Sequence, residues 1–189
     1  MAVLIAGLVV FLGVHFTRAL TPTFRQSFIE QRGENAWKGI YTFLSLLGFG
    51  LIIWGYGLAR DEASVYWVAP EGFRPVVWIV MLASFVLVVA GNGPRSHIRA
   101  AVQHPMTIGV LLWASTHLII NGDTAAILLF GGFLVWSVVV AVSAYRRPIP
   151  ADVPAPRWAA DAVAVVVGTV LWIVFLGWAH LYLFGVSPY

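Results

Sequence analysis

The sequence predicts an all-α integral membrane protein, a bundle of six transmembrane helices with both termini on the non-cytoplasmic side. Three observations predict it. Of 189 residues, 60% are hydrophobic and 10% charged, with a mean hydropathy of +0.88; a soluble domain carries about 45–50% apolar and about 25% charged residues. Nine tryptophans suit the aromatic belts of a bilayer interface. The apolar residues gather in six runs, each near the ~20 residues that a bilayer core needs, with polar loops between them. The runs use up the length, so residues 1–189 form a single domain with no room for a soluble catalytic module.

The first span covers residues 2–20. It has no basic region ahead of it and no small-x-small cleavage site after it, so it reads as a retained helix rather than a signal peptide. Thr21-Pro22 ends it, because proline restricts its predecessor and breaks the hydrogen-bond ladder. Residues 21–38 read as a polar loop. The second span covers roughly 39–59 and ends in Trp54-Gly55-Tyr56-Gly57. Residues 60–75 read as a loop that holds Asp61, Glu62 and Glu71. The third span covers about 76–92 and stops at Asn92-Gly93-Pro94. Residues 94–105 read as a short basic loop with Arg95, His97 and Arg99. The fourth span, the shortest, starts at Pro105, a favoured first helical position, and ends at Asn121-Gly122. Asp123 or Thr124 caps the fifth, which runs to about 144. A proline-rich connector leads from Arg146-Arg147-Pro148 to Pro156-Arg157, and the sixth span covers about 160–185.

Basic residues set the orientation. Arg18, Arg25, Arg32, Lys38, Arg95, Arg99, Arg146, Arg147 and Arg157 lie in or beside the first, third and fifth loops, against Arg60 and Arg74 in the second. The odd loops are therefore expected in the cytoplasm. The net charge of +3 is a topology signal and not a sign of nucleic-acid binding, because the charges are scattered over short loops. The absence of cysteine excludes disulfides, thiolate metal sites, cysteine nucleophiles and covalent haem attachment. With no acid well inside a span, a proton-relay transporter is disfavoured.

The stretch from Gln103 to Asp123 concentrates the polar rings. Gly109, Trp113 and His117 recur every four residues, a drift of about 40° per step, so they share a helix face. That face could hold a cofactor, with histidine as ligand and tryptophan as a flat wall. Equally, glycine could admit a neighbouring backbone and histidine could bond across the bundle. His104 lies about 140° from His117 on a regular helix and is expected at the helix start, as an interfacial hydrogen-bonding residue. His15 and Arg18 lie one turn apart in the first span. His15 is roughly 9 Å, and His117 roughly 16 Å, inside the cytoplasmic ends of their spans, close enough in depth to flank one planar ligand. Imidazole is an axial ligand for haem iron. Arg18, Arg25 or Arg99 could pair with haem propionates, although Arg18 alone would simply snorkel to the headgroups. His97 reads as a solvated loop residue, His180 as interfacial, Asp123 as a cap and Glu34 as a solvated loop acid.

Three blocks carry a family resemblance: Gly13-Val14-His15-Phe16 with Arg18; Arg32-Gly33-Glu34 followed by Trp37-Lys38-Gly39; and His104-Pro105, Gly109, Trp113, His117 and Asn121-Gly122. With these blocks, spread over roughly residues 7–135, the chain resembles the NnrU family of bacterial membrane proteins, which is related to 15-cis-zeta-carotene isomerase of plants and cyanobacteria. The resemblance implies a place in the bacterial inner membrane and a link to denitrification, where NnrU proteins are needed for the nitrite and nitric oxide reductase systems. The isomerase binds haem b through two histidines that match His15 and His117 by position, and His104 matches a further histidine of that enzyme. It also carries an Asn-His pair near the end of its second helix, where this chain has Trp54-Gly55-Tyr56. Haem binding can therefore carry over without the isomerisation.

Three functions follow as expectations. The first is an NnrU-type haem protein of nitrogen-oxide respiration. The second is a haem-dependent cis–trans isomerase acting on an apolar polyene that enters from the lipid. The third is a cofactor-free assembly factor for a membrane protein partner, in which the histidines only join helices.

Overall fold

The computed structural model describes residues 1–149 and 152–188; residues 150 and 151 of the proline-rich connector, and residue 189, lie outside them. The helices are α1 (Ala2–Leu20), α2 (Pro22–Arg32), α3 (Glu34–Arg60), α4 (Arg74–Asn92), α5 (His97–Val102), α6 (Pro105–Ile120), α7 (Thr124–Tyr145), α8 (Trp158–Val174) and α9 (His180–Phe184). A π-helical turn, Phe175–Ala179, joins the last two. Two short strands, β1 (Val65–Val68) and β2 (Asn121–Asp123), pair antiparallel. Among the described residues, five helical segments are long and apolar enough to cross a membrane: α1, α3, α4, α7 and the continuous stretch Trp158–Phe184. The sixth apolar helix, α6, has 16 residues and is about 24 Å long.

The chain folds into two compact units, residues 1–68 with 117–143 and residues 69–116 with 144–189. In the first unit α1 lies against α3 with backbones nearly touching. A Cβ on Gly7 would stand 2.6 Å from the Ile52 nitrogen, and one on Gly48 would stand 2.7 Å from the Phe11 nitrogen. A Cβ on Gly55 would collide with the backbone of Leu4. Lipid supplies no hydrophobic drive between helices, so close packing through small residues holds them. Leu8 and Leu12 of α1 meet α7 at Gly132. In the second unit Gly168 of α8 admits the Val86 backbone of α4, and Gly91 of α4 admits Met106 of α6. Many outward residues are large and apolar, among them Phe43, Ile53, Ile79, Val135 and Val166, as a lipid-facing surface requires.

Four sequence expectations need correction. The expected loop 21–38 is α2 followed by the first turn of α3. Pro22 occupies a first helical position where no N–H is needed, and Gly33, at φ +86°, makes the corner. Phe24 and Phe28 of α2 pack edge-on against Trp37, which gives this short polar helix an apolar wall. The expected loop 94–105 contains α5, begun by Ser96, whose hydroxyl accepts from the Arg99 nitrogen at 3.0 Å. The loop 60–75 contains β1, so the described residues are not all helical. Glu34 is no loop residue: it opens α3 and pairs with Lys38 at 3.1 Å on an exposed face. Other boundaries stand as read. Pro105 begins α6, Leu20 ends α1, and Asp123 Oδ1 caps α7 by accepting from the Ala126 nitrogen at 2.9 Å.

Candidate functional site

The site is built on α1. His15 Nδ1 lies 2.6 Å from the carbonyl oxygen of Phe11, one turn back. A carbonyl only accepts, so Nδ1 carries the proton and Nε2 keeps the lone pair. Such a tether fixes the tautomer and aims Nε2, the arrangement usual for a ligating histidine. The Phe11 ring stacks on the imidazole at 4.2 Å between centroids and 27° between planes. Stacking covers a face of the ring, whereas ligation would use its edge. Tyr41 of α3 stands 5.1 Å away, and Trp136 of α7 meets the ring edge-on at 6.1 Å.

Trp136 was not anticipated from the sequence, and its indole nitrogen is buried with no hydrogen-bond partner in the structure. A buried indole N–H normally finds an acceptor. In a membrane interior that acceptor has to come from protein, trapped water or a ligand.

His117 occupies the last turn of α6, and its carbonyl accepts from Asn121 Nδ2 at 2.8 Å, which secures the helix end. Its ring packs on Phe130 of α7 at 4.8 Å and 31°. Phe133 of α7 meets Phe11 at 5.7 Å. Phe130, Phe133 and Trp136 follow one another at intervals of three, so they occupy one arc of about 120° and rise about 9 Å along α7. The two histidines of the first unit thus pack along a single aromatic row, His117 at one end and His15 at the other. The spacing Phe130-x-x-Phe133-x-x-Trp136 is the signal that sequence reading passed over.

The donor set suits one kind of metal group better than another. No cluster of three or more His, Cys, Asp or Glu that could hold a metal ion occurs among the described residues. A macrocycle that brings four of its own nitrogens needs only one or two from the protein. Such a group would meet here a tethered imidazole, a second imidazole on the same row and, beside the first, the buried indole N–H of Trp136.

Arg18 is exposed in the last turn of α1. Arg25 lies over the Trp37 ring at 5.9 Å. Gly109, Trp113 and His104 belong to the second unit. Helix α6 runs unbroken through Gly109, Trp113 and His117, so their four-residue spacing on one face holds. Gly109 is buried against α4: a Cβ there would stand 2.8 Å from Val88 and 2.9 Å from the Ser84 carbonyl, and Ser84 Oγ donates to the Gly109 carbonyl at 2.8 Å. Close packing accounts for this glycine. Trp113 is half-buried on α6. His104 precedes Pro105 at the helix start, and its ring meets Tyr145 edge-on at 5.1 Å. Arg99 donates to the Gly93 carbonyl at 2.8 Å. His97 corrects the loop reading: it begins α5, and its Nδ1 bonds Asp161 of α8 at 2.7 Å. His180 Nδ1 bonds the Val186 carbonyl at 2.8 Å, close to the end of the chain. Near the end of α3, Gly55 faces α1 and Trp54 is exposed.

Against known families, a family model described as NnrU protein matches residues 3–188. No curated protein and no solved structure matches the chain.

Proposed function

Because the chain belongs to the NnrU protein family, we propose that it is an integral membrane haem b protein serving denitrification, with His15 as the principal iron ligand and His117 as the second. The observation that carries this reading is the bond from His15 Nδ1 to the Phe11 carbonyl, which leaves Nε2 as the lone-pair nitrogen. The aromatic row of α7, on which both histidines pack, supports the pairing. Haem b, when bound, would supply an iron able to change oxidation state. Of the chain's own residues, His15 would hold the iron through Nε2, with the Phe11 carbonyl keeping its proton at Nδ1. Phe11, Phe130 and Phe133 would line the site with apolar rings. Arg18 offers a positive charge at the cytoplasmic edge for a propionate.

In this reading α6 is the sixth span, the odd-numbered loops face the cytoplasm, and the protein sits in the bacterial inner membrane. No observation favours the polyene isomerase as a second reading, and the Trp54-Gly55-Tyr56 segment speaks against it.

The test is the absorption spectrum of protein purified after expression with ample haem. The reading expects a Soret band that is lost in His15→Ala and lost or shifted in His117→Ala. Protein that is folded but colourless leaves the assembly-factor function in its place. Bound haem together with a changed isomer ratio, in cells making 15-cis-zeta-carotene, would move the assignment to the isomerase.

A further inference from the structure

Strand β1 turns four apolar side chains outward in succession: Val65 is 65% exposed, Tyr66 66%, Trp67 41% and Val68 83%. Successive strand residues point to opposite faces. All four are thus exposed on both faces of the strand, Trp67 least, where Gly122 and the end of α6 meet its ring. The strand is also firmly held. The chain leaves α3 through a turn in which the Glu62 and Ala63 nitrogens donate to the carbonyls of Ala59 and Arg60. Trp67 Nε1 donates to the Ile119 carbonyl in the last turn of α6 at 3.0 Å. The Thr124 nitrogen, at the start of α7, donates to the Ser64 carbonyl at 3.0 Å. Gly122 of β2 lies against the Trp67 ring, with no room for a Cβ.

The ribbon is thus fastened to the ends of three apolar helices, two of which, α3 and α7, are long enough to span a bilayer. Where such helices end, the polar region of the bilayer begins. Tryptophan and tyrosine favour that layer, with an apolar ring and a polar tip. We propose that β1 is an interfacial anchor, lying among the headgroups and upper acyl chains of the bilayer leaflet at this end of the molecule. A protein partner adding a strand would pair with the edge of β1 away from β2 and leave the side chains of both faces uncovered. Lipid surrounds both faces, so a lipid surface is the occupant that matches the exposure. The exposed Asp61 and Glu62 at the foot of the ribbon argue for zwitterionic rather than anionic headgroups. The assignment stands or falls independently of haem.

The chain contains no cysteine, so Val68→Cys provides a single labelling site. The full-length variant, labelled with an environment-sensitive fluorophore, is reconstituted in phosphatidylcholine vesicles. Three quenchers are compared: a nitroxide near the carbonyl end of the acyl chain, a nitroxide near its methyl end, and aqueous iodide. The proposal expects the shallow nitroxide to quench several-fold more than either of the others. Dominant quenching by iodide overturns it in favour of a solvated loop, and protection from all three overturns it in favour of a protein-covered face. Ile53→Cys, on the exposed side of α3, reports insertion through quenching by the deep nitroxide. Tyr66→Cys carries the same three-way test if Val68→Cys does not fold.

Discussion

The carboxylate of Asp161 holds the start of α5 from 64 residues away: Oδ2 accepts from the His97 nitrogen at 3.0 Å and from His97 Nδ1 at 2.7 Å, and Oδ1 accepts from the Ile98 nitrogen at 2.9 Å. The Trp158 indole stacks on the imidazole at 4.0 Å. A six-residue helix does not persist alone, since its nucleus costs more than its few hydrogen bonds return. Asp161 supplies acceptors that the helix N-terminus lacks. Asp161→Ala is expected to lower the thermal midpoint in detergent by several degrees, followed by far-UV circular dichroism. His97→Gln, which keeps both backbone bonds, is expected to lower it less. Equal losses would mean that the ring contact, not the cap, does the holding.

The glycines of α3 separate packing from flexibility. A Cβ on Gly48 would meet the Phe11 nitrogen at 2.7 Å and its Cα at 2.9 Å, and backbone atoms of a packed helix cannot step aside. Gly48→Ala is expected to destabilise by about 1–3 kcal/mol, the usual range for overpacking. At Gly50 a Cβ would enter open space, with nothing within 4 Å. Gly50→Ala is therefore expected to stabilise by about 0.5–1 kcal/mol, through the reduced entropy loss of alanine in a helix. Reversible unfolding in mixed micelles measures both.

Sequence reading reached those parts of the fold whose cause is local. Pro105, Thr21-Pro22 and the Asp123 cap announce their helix ends within a few residues. It missed what is fixed from a distance. Helix α5 depends on Asp161, and β1 depends on Asn121-Gly122-Asp123, more than fifty residues on. Within the site, His15 and His117 stood out because imidazole is rare in an apolar run. Trp136 did not, because one tryptophan among nine says nothing until its nitrogen is seen to lack a partner.

The Asp123 cap gives a prediction with a graded series. Its Oδ1 bonds the Ala126 nitrogen while its backbone belongs to β2, so one residue ends the ribbon and begins α7. Asp123→Ala is expected to cost about 1 kcal/mol, and Asp123→Asn or Asp123→Ser much less, because each keeps a side-chain oxygen for the same donor. Denaturant unfolding would show this. If alanine were as good as serine, the ribbon pairing rather than the cap would be holding the turn.

Trp136 offers a pair of effects with opposite signs. Its buried N–H has no partner, so Trp136→Phe removes a polar group that is costly to leave unpaired and keeps most of the aromatic contact with His15. The haem-free protein is then expected to lose little stability, and to gain as much as about 1 kcal/mol if the smaller ring repacks. If a bound haem carries the acceptor that this N–H awaits, the same change removes a hydrogen bond of about 1 kcal/mol, a loss of roughly fivefold in haem affinity. Haem titration followed at the Soret band, beside thermal unfolding of the haem-free form, measures both halves. Weaker haem binding without weaker folding assigns the indole to the ligand. Weaker folding with unchanged haem binding assigns it to the bundle instead, as a ring held in place by its contact with His15.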